Sequence, residues 1–165
     1  VIAIGQFAQS AGFLTYDKVE AMIKEKGFYA SNFNPEGTGI KNQYKLEVFN
    51  GDSIVIDKTT GLTWQQSGSK DYMMYEEAQQ YIENLNQQKF AGFNDWRLPT
   101  LEEAMSLMEP NIESGLYIDA VFDNKQQWIW TVDKYSPSGA WVVDFYVGVC
   151  FSFRVDPSFF VRAVR

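Results

Sequence analysis

Between Thr15 and Lys26 the apolar Val19, Met22 and Ile23 recur at helical spacing, Thr15 is placed to cap the first turn, and Gly27 stands where a helix stops. This pattern predicts one helix. After the turn-rich "SNFNPEGTGIKNQ" come three short β-prone runs, "YKLEVFN", "GDSIVID" and "GLTWQQ", with Asn50-Gly51 between the first two as a hairpin signal. From Met73 to Asn86, Met74, Ala78, Tyr81, Ile82 and Leu85 mark one face of a second helix, with Glu and Gln on the others. Thr100 and Glu103 form a capping box that opens a third helix, expected over Leu101 to Glu109 and closed by Pro110. From Trp128 onward "WIWTVD", "AWVVDFYVG", "VCFSFRVD" and "FFVRAVR" read as strands separated by turns. The fold class is α+β, with early and late strands expected to meet in one sheet.

The stretch "DFYVGVCFSFRVDPSFF", Asp144 to Phe160, is crowded with aromatic and β-branched residues. Its middle alternates Val149, Phe151, Phe153 and Val155 against Cys150, Ser152, Arg154 and Asp156. That predicts a half-buried strand whose first row faces the core. The flanks, with Tyr146, Val147, Phe159 and Phe160, fall around turns and fit that reading less well.

Composition narrows the function. The chain has 165 residues, 14 basic and 21 acidic, for a formal charge of -7, so nucleic acid and anionic membranes are disfavoured partners. It contains no His and a single cysteine, Cys150, which excludes an internal disulfide, Ser-His-Asp catalysis and His-containing zinc sites. No run approaches the roughly 18 apolar residues of a membrane span, and the first residues lack the basic start of a signal peptide. Val1 in place of an initiator Met is expected where a leader or further domain has been removed.

Three phrases, "VIDKTTGLTWQQ" at 55–66, "AGFNDWRLPTLEEAMSL" at 91–107 and "WIWTVD" with a terminal "FVRAVR", carry more than periodicity. In this order they resemble a family of microbial domains that includes the C-terminal domain of a collagen-like bacterial adhesin, over about Gly51 to Arg165. "DWRLPT" is the most specific phrase. That family looks like a branch of the C-type lectin-like fold, related to the formylglycine-generating enzyme and to phage tropism determinants. The resemblance implies two helices beside a small twisted antiparallel sheet, with the chain ends close together. The expected organisation is an N-terminal extension over 1–43, with its own helix packed on the domain, and a C-type lectin-like domain over 44–165.

Candidate chemistry is sparse. Asp95, Trp96 and Arg97 have no nucleophile beside them and read as a structural frame, Arg97 locking the loop and Trp96 filling the core. "EPN" at Glu109 to Asn111 looks like the calcium-dependent sugar motif of animal C-type lectins, but it precedes the central aromatic strand and Pro110 explains it as a helix stop. The acidic pairs Asp119 and Asp123, and Glu102 and Glu103, read as solvated faces. The formylglycine-generating relatives work through paired cysteines, which Cys150 alone does not supply. The reading is a non-enzymatic protein with no catalytic residues, no metal and no cofactor.

After Trp141 the chain contains no Lys, Glu, Gln, Met or Trp, the amino acids that no codon ending in a pyrimidine encodes. Some C-type lectin-like relatives are variable proteins of diversity-generating retroelements, in which adenines of Asn-type codons near the 3' end of the gene are randomised. The residues expected to read out a ligand are Tyr146, Val147, Val149, Cys150, Phe151, Ser152, Phe153, Arg154, Ser158, Phe159 and Phe160. Gly148, Val161 and Arg162 join Asp95, Trp96 and Arg97 as frame. The implied partner is a protein or glycan on another cell or particle, with display on a virus particle or microbial surface. A fixed-specificity polysaccharide adhesin is the alternative.

Overall fold

The computed structural model describes Phe7 and residues 11–165. Three helices and two antiparallel three-stranded sheets make up the α+β fold: α1 (Tyr16–Lys26), β1 (Tyr44–Phe49), β2 (Asp52–Asp57), β3 (Thr63–Gln65), α2 (Tyr75–Gln87), α3 (Leu101–Met105), β4 (Trp128–Ser136), β5 (Gly139–Asp144) and β6 (Val149–Arg154). The arrangement is consistent with a small lectin-like domain. Thr15 Oγ1 caps α1, and Gly27 ends it at φ 70°, its N–H and that of Phe28 bonding back to the last turn. Asn50 and Gly51, at φ 53° and 86°, turn β1 into β2 as the sequence predicts.

Two expectations are corrected. The third helix ends at Met105 rather than Glu109, because Leu107 and Met108 continue in single turns and the Glu109 N–H bonds to the Tyr117 carbonyl. The strands form separate sheets, in the orders β1-β2-β3 and β4-β5-β6. They are tied by the final segment instead. Phe160 exchanges backbone bonds with Trp128 and Trp130 on β4, while Ala163 and Arg165 pair with Gln65 and Thr63 on β3. "FFVRAVR" is thus a clamp between sheets rather than a strand within one.

The late sheet is buried on both faces. Ile129, Trp141, Val143 and Cys150 face α1 and α3 in the largest core, with Trp64 and Val55 from the early sheet. Trp130, Ala140 and Val142 face Tyr75 and Ala78 of α2. A third cluster packs Ile54, Leu85, Ala91, Trp96 and Ala163. Residues 11–43 contact the late sheet: Trp141 Nε1 donates to the Leu14 carbonyl at 3.0 Å, and Asn32 Nδ2 donates to the Cys150 carbonyl at 2.9 Å. The expected closeness of the chain ends involves Val1, outside the described residues.

Candidate functional site

The residues expected to form a frame make the following contacts. Arg97 exchanges both backbone bonds with Val164, at 2.9 and 3.0 Å, and its guanidinium grips Glu103 with two bonds of 2.7 Å. Trp96 is buried and donates Nε1 to the Phe90 carbonyl. Asp95 pairs with Arg165 at 2.6 Å, and the bonds from that guanidinium hold its carboxyl below the usual range. Arg162 is fully buried, donating to the carbonyls of Ser67 and Asp123 at 2.8 Å and lying over the Phe122 ring; burial lowers its pKa to about 10. Gly148 sits at φ 71°, and a Cβ there would lie 3.0 Å from Tyr29 and 3.2 Å from Tyr117.

Apart from Val149, half-buried at the start of β6, the expected readout residues divide into three groups. Tyr146 and Val147 are exposed at the tip of the β5–β6 hairpin, their N–H groups both bonded to Asp144 Oδ1. Phe151, Phe153 and Phe159 form a triangle of edge contacts with ring centres 5.8 to 6.3 Å apart. Phe153 is 44% exposed and crowns it, with Arg154 and Ser158 exposed at its margin. Beneath, Phe159 packs edge-on against Trp130 at 4.8 Å, and Trp130 against Tyr75 at 5.3 Å.

The third group is a correction. Cys150 and Phe160 are buried, and Ser152 is engaged by the Tyr16 hydroxyl, which accepts its N–H at 3.2 Å. Neither row of the strand lies wholly inside: Cys150 is buried but Arg154 and Asp156 in its row are exposed, while Val149, Phe151 and Val155 are half-buried and Phe153 is exposed. β5 is buried throughout, whereas on β6 only Cys150 is fully buried, with Asn32 and Tyr16 of the N-terminal segment bonding to the backbone of Cys150 and Ser152. Burial also pushes the Cys150 thiol up to about 12. Nor is the readout one surface. Val147 lies in the turn before β6 and Phe153 near its far end, four strand residues or about 13 Å beyond Val149, so hairpin tip and aromatic triangle are separate patches.

Beside the triangle lies an open cavity of about 340 Å³ lined by Met74, Tyr75, Glu76, Gln79, Lys134, Val155 and Asp156. Lys134 Nζ stands 3.9 Å above the Tyr75 ring, and burial lowers its pKa. Tyr75 and Lys134 belong to this site and were missed, because a helix start and a strand middle gave no signal of proximity. A larger cleft of about 510 Å³ lies elsewhere, between Asp52, Gln65, Gln66, Ser67, Ser69, Lys70, Asp71, Tyr81 and Phe90.

The acidic pairs are engaged structurally. Glu102 pairs with Lys26 and Glu103 with Arg97, while Asp119 and Asp123 accept backbone N–H groups of their own turns. Glu109 of "EPN" is half-buried near Asp119 and Glu113, and burial first, then those charges, pushes its pKa up to about 7. Among the described residues no group of three or more His, Cys, Asp or Glu is placed to hold a metal ion.

Fold and surface together define a small α+β domain, consistent with a lectin-like one, that exposes an aromatic ring at Phe153. The chain belongs to the Lcl C-terminal domain family, whose sequence model matches residues 53–165. The match leaves out α1 and β1. No curated protein matches the chain.

Proposed function

We propose that the chain is a non-enzymatic binding module of the C-type lectin-like kind, whose ligand rests on the aromatic triangle Phe151, Phe153 and Phe159. The observation that carries this reading is a 44% exposed Phe153 resting on half-buried Phe159, which packs in turn on the buried Trp130. An exposed apolar patch on a rigid support marks a partner site, since side chains already held in place lose little entropy on binding. Arg154 and the cavity beside Tyr75 supply polar contacts at its margin, and the hairpin tip at Tyr146 and Val147 is a second, smaller contact. Membership in the Lcl C-terminal domain family supports an adhesin-related or variable-protein-like role.

The residue types after Trp141 favour diversification of the gene at these positions, with display on a virus particle or microbial surface. The buried Cys150, Phe160 and Arg162 then mark where variation ends. Sequencing the gene's surroundings tests this: a near-duplicate of the 3' end with adenines at the mismatches, beside a reverse transcriptase, is expected. Absence of such a repeat removes diversification and leaves a fixed surface.

The larger cleft, lined by both polar and apolar side chains, favours a second reading, a fixed-specificity polysaccharide adhesin. Gln66, Ser67, Asp52 and Asp71 line it with polar groups and Tyr81 and Phe90 with ring faces, while the buried Gln65 and Ser69 spend theirs on Tyr81, Ala163, Asp71 and Val161. A glycan array run with wild type, Phe153→Ala and Gln66→Ala separates the two: loss only in Gln66→Ala assigns binding to the cleft.

A further inference from the structure

Strand β1 is the outer strand of the early sheet, and the backbone of no other described segment pairs with its outer edge. In a hairpin closed by two residues, the flanking residues bond each other, so Phe49, Glu47 and Lys45 spend their main-chain groups on β2. Tyr44, Leu46 and Val48 therefore direct theirs outward. Leu46 and Val48 are also 48% and 63% exposed, unusual for apolar residues on an open strand edge.

We propose that β1 pairs antiparallel with β1 of a second copy of this chain, across a two-fold axis at Leu46. In that register Leu46 faces Leu46 and Tyr44 faces Val48, all with outward main-chain groups, so the new ladder forms through those three residues. Lys45 of each copy then stands opposite Glu47 of the other at a non-hydrogen-bonded position, where side chains approach closest. The two form an ion pair within one strand in the single chain and exchange partners in the pair. Moving the axis one residue either way sets Lys45 against Lys45 or Glu47 against Glu47. Charge thus selects one register, and the product is a continuous six-stranded sheet.

Six residues a side make a small interface, so the dimer is weak and concentration-dependent. It joins two aromatic faces in one particle, which raises avidity without new ligand contacts.

Sedimentation over a range of concentrations tests the pairing in wild type, Lys45→Glu, Glu47→Lys and the double exchange, with circular dichroism confirming each fold. Dimerisation is expected in wild type, weakened about ten-fold or more in either single variant by like charges set opposite, and restored in the double. Leu46→Pro provides a charge-neutral check: it deletes an N–H that the single chain does not use, a place where an edge strand tolerates proline, and is expected to be monomeric. A wild type that stays monomeric throughout, single variants that dimerise undiminished, a double exchange no better than the singles, or a dimeric Leu46→Pro each overturn the proposal.

Discussion

Arg97 and Glu103 are joined by two parallel bonds of 2.7 Å, and the same carboxylate accepts the Thr100 N–H that opens α3. One carboxylate thus caps a helix and fixes the arginine of the "DWRLPT" loop, whose backbone is paired with Val164. Glu103→Gln keeps an acceptor for the cap but loses the charged fork, and is expected to cost about 2 kcal/mol by chemical denaturation. Arg97→Lys is expected to be nearly as costly, because a point charge does not reproduce two parallel bonds.

Glu109 gives the domain a pH dependence. Its folded-state pKa of about 7 exceeds an ordinary value near 4.5, so the folded protein keeps a proton that the unfolded chain has released between those pH values. Stability from this group is full below about 4.5 and is lost as pH rises to about 7. Glu109→Gln is expected to raise the melting temperature at pH 8 and to leave it nearly unchanged at pH 4; equal effects at both would contradict the assignment.

Cys150 is buried against Ile129, Trp141 and Val143. In native protein its thiol is expected to resist a disulfide reagent, reacting only at the rate of unfolding. Cys150→Ser, which places a hydroxyl there, is expected to destabilise by about 1–3 kcal/mol. Rapid labelling of the native state would return Cys150 to the surface.

Gly148→Ala tests the junction between the hairpin and the N-terminal segment. The added methyl meets Tyr29 and Tyr117 at a positive φ, so both strain and crowding apply. A loss of at least about 1 kcal/mol is expected from thermal unfolding.

Local signals in the sequence carried far. The Thr15 cap, the Gly27 stop, the Asn50-Gly51 turn and the Thr100–Glu103 box all sit where their chemistry placed them. What was hidden was long-range. Nothing in "FFVRAVR" says that Phe160 joins β4 while Ala163 joins β3, yet that division keeps the two sheets apart. Alternation in "VCFSFR" pointed to one inner row, yet β6 buries only Cys150 fully, because Tyr16 and Asn32, which meet its other row, arrive from more than a hundred residues away. The aromatic site was half-visible for the same reason: Phe151, Phe153 and Phe159 lie in one stretch, whereas Tyr75 and Lys134 reach it only through folding.

The most direct test compares wild type with Phe153→Ala, side by side, for binding to an array of surface proteins and glycans. Phe153 is exposed enough that its loss is expected to lower stability by less than about 1 kcal/mol, so the fold stays a constant. Binding by wild type that falls at least about ten-fold in Phe153→Ala, at unchanged melting temperature, is the predicted result. A ligand held equally by both proteins would contradict the assignment of the aromatic triangle as the contact face.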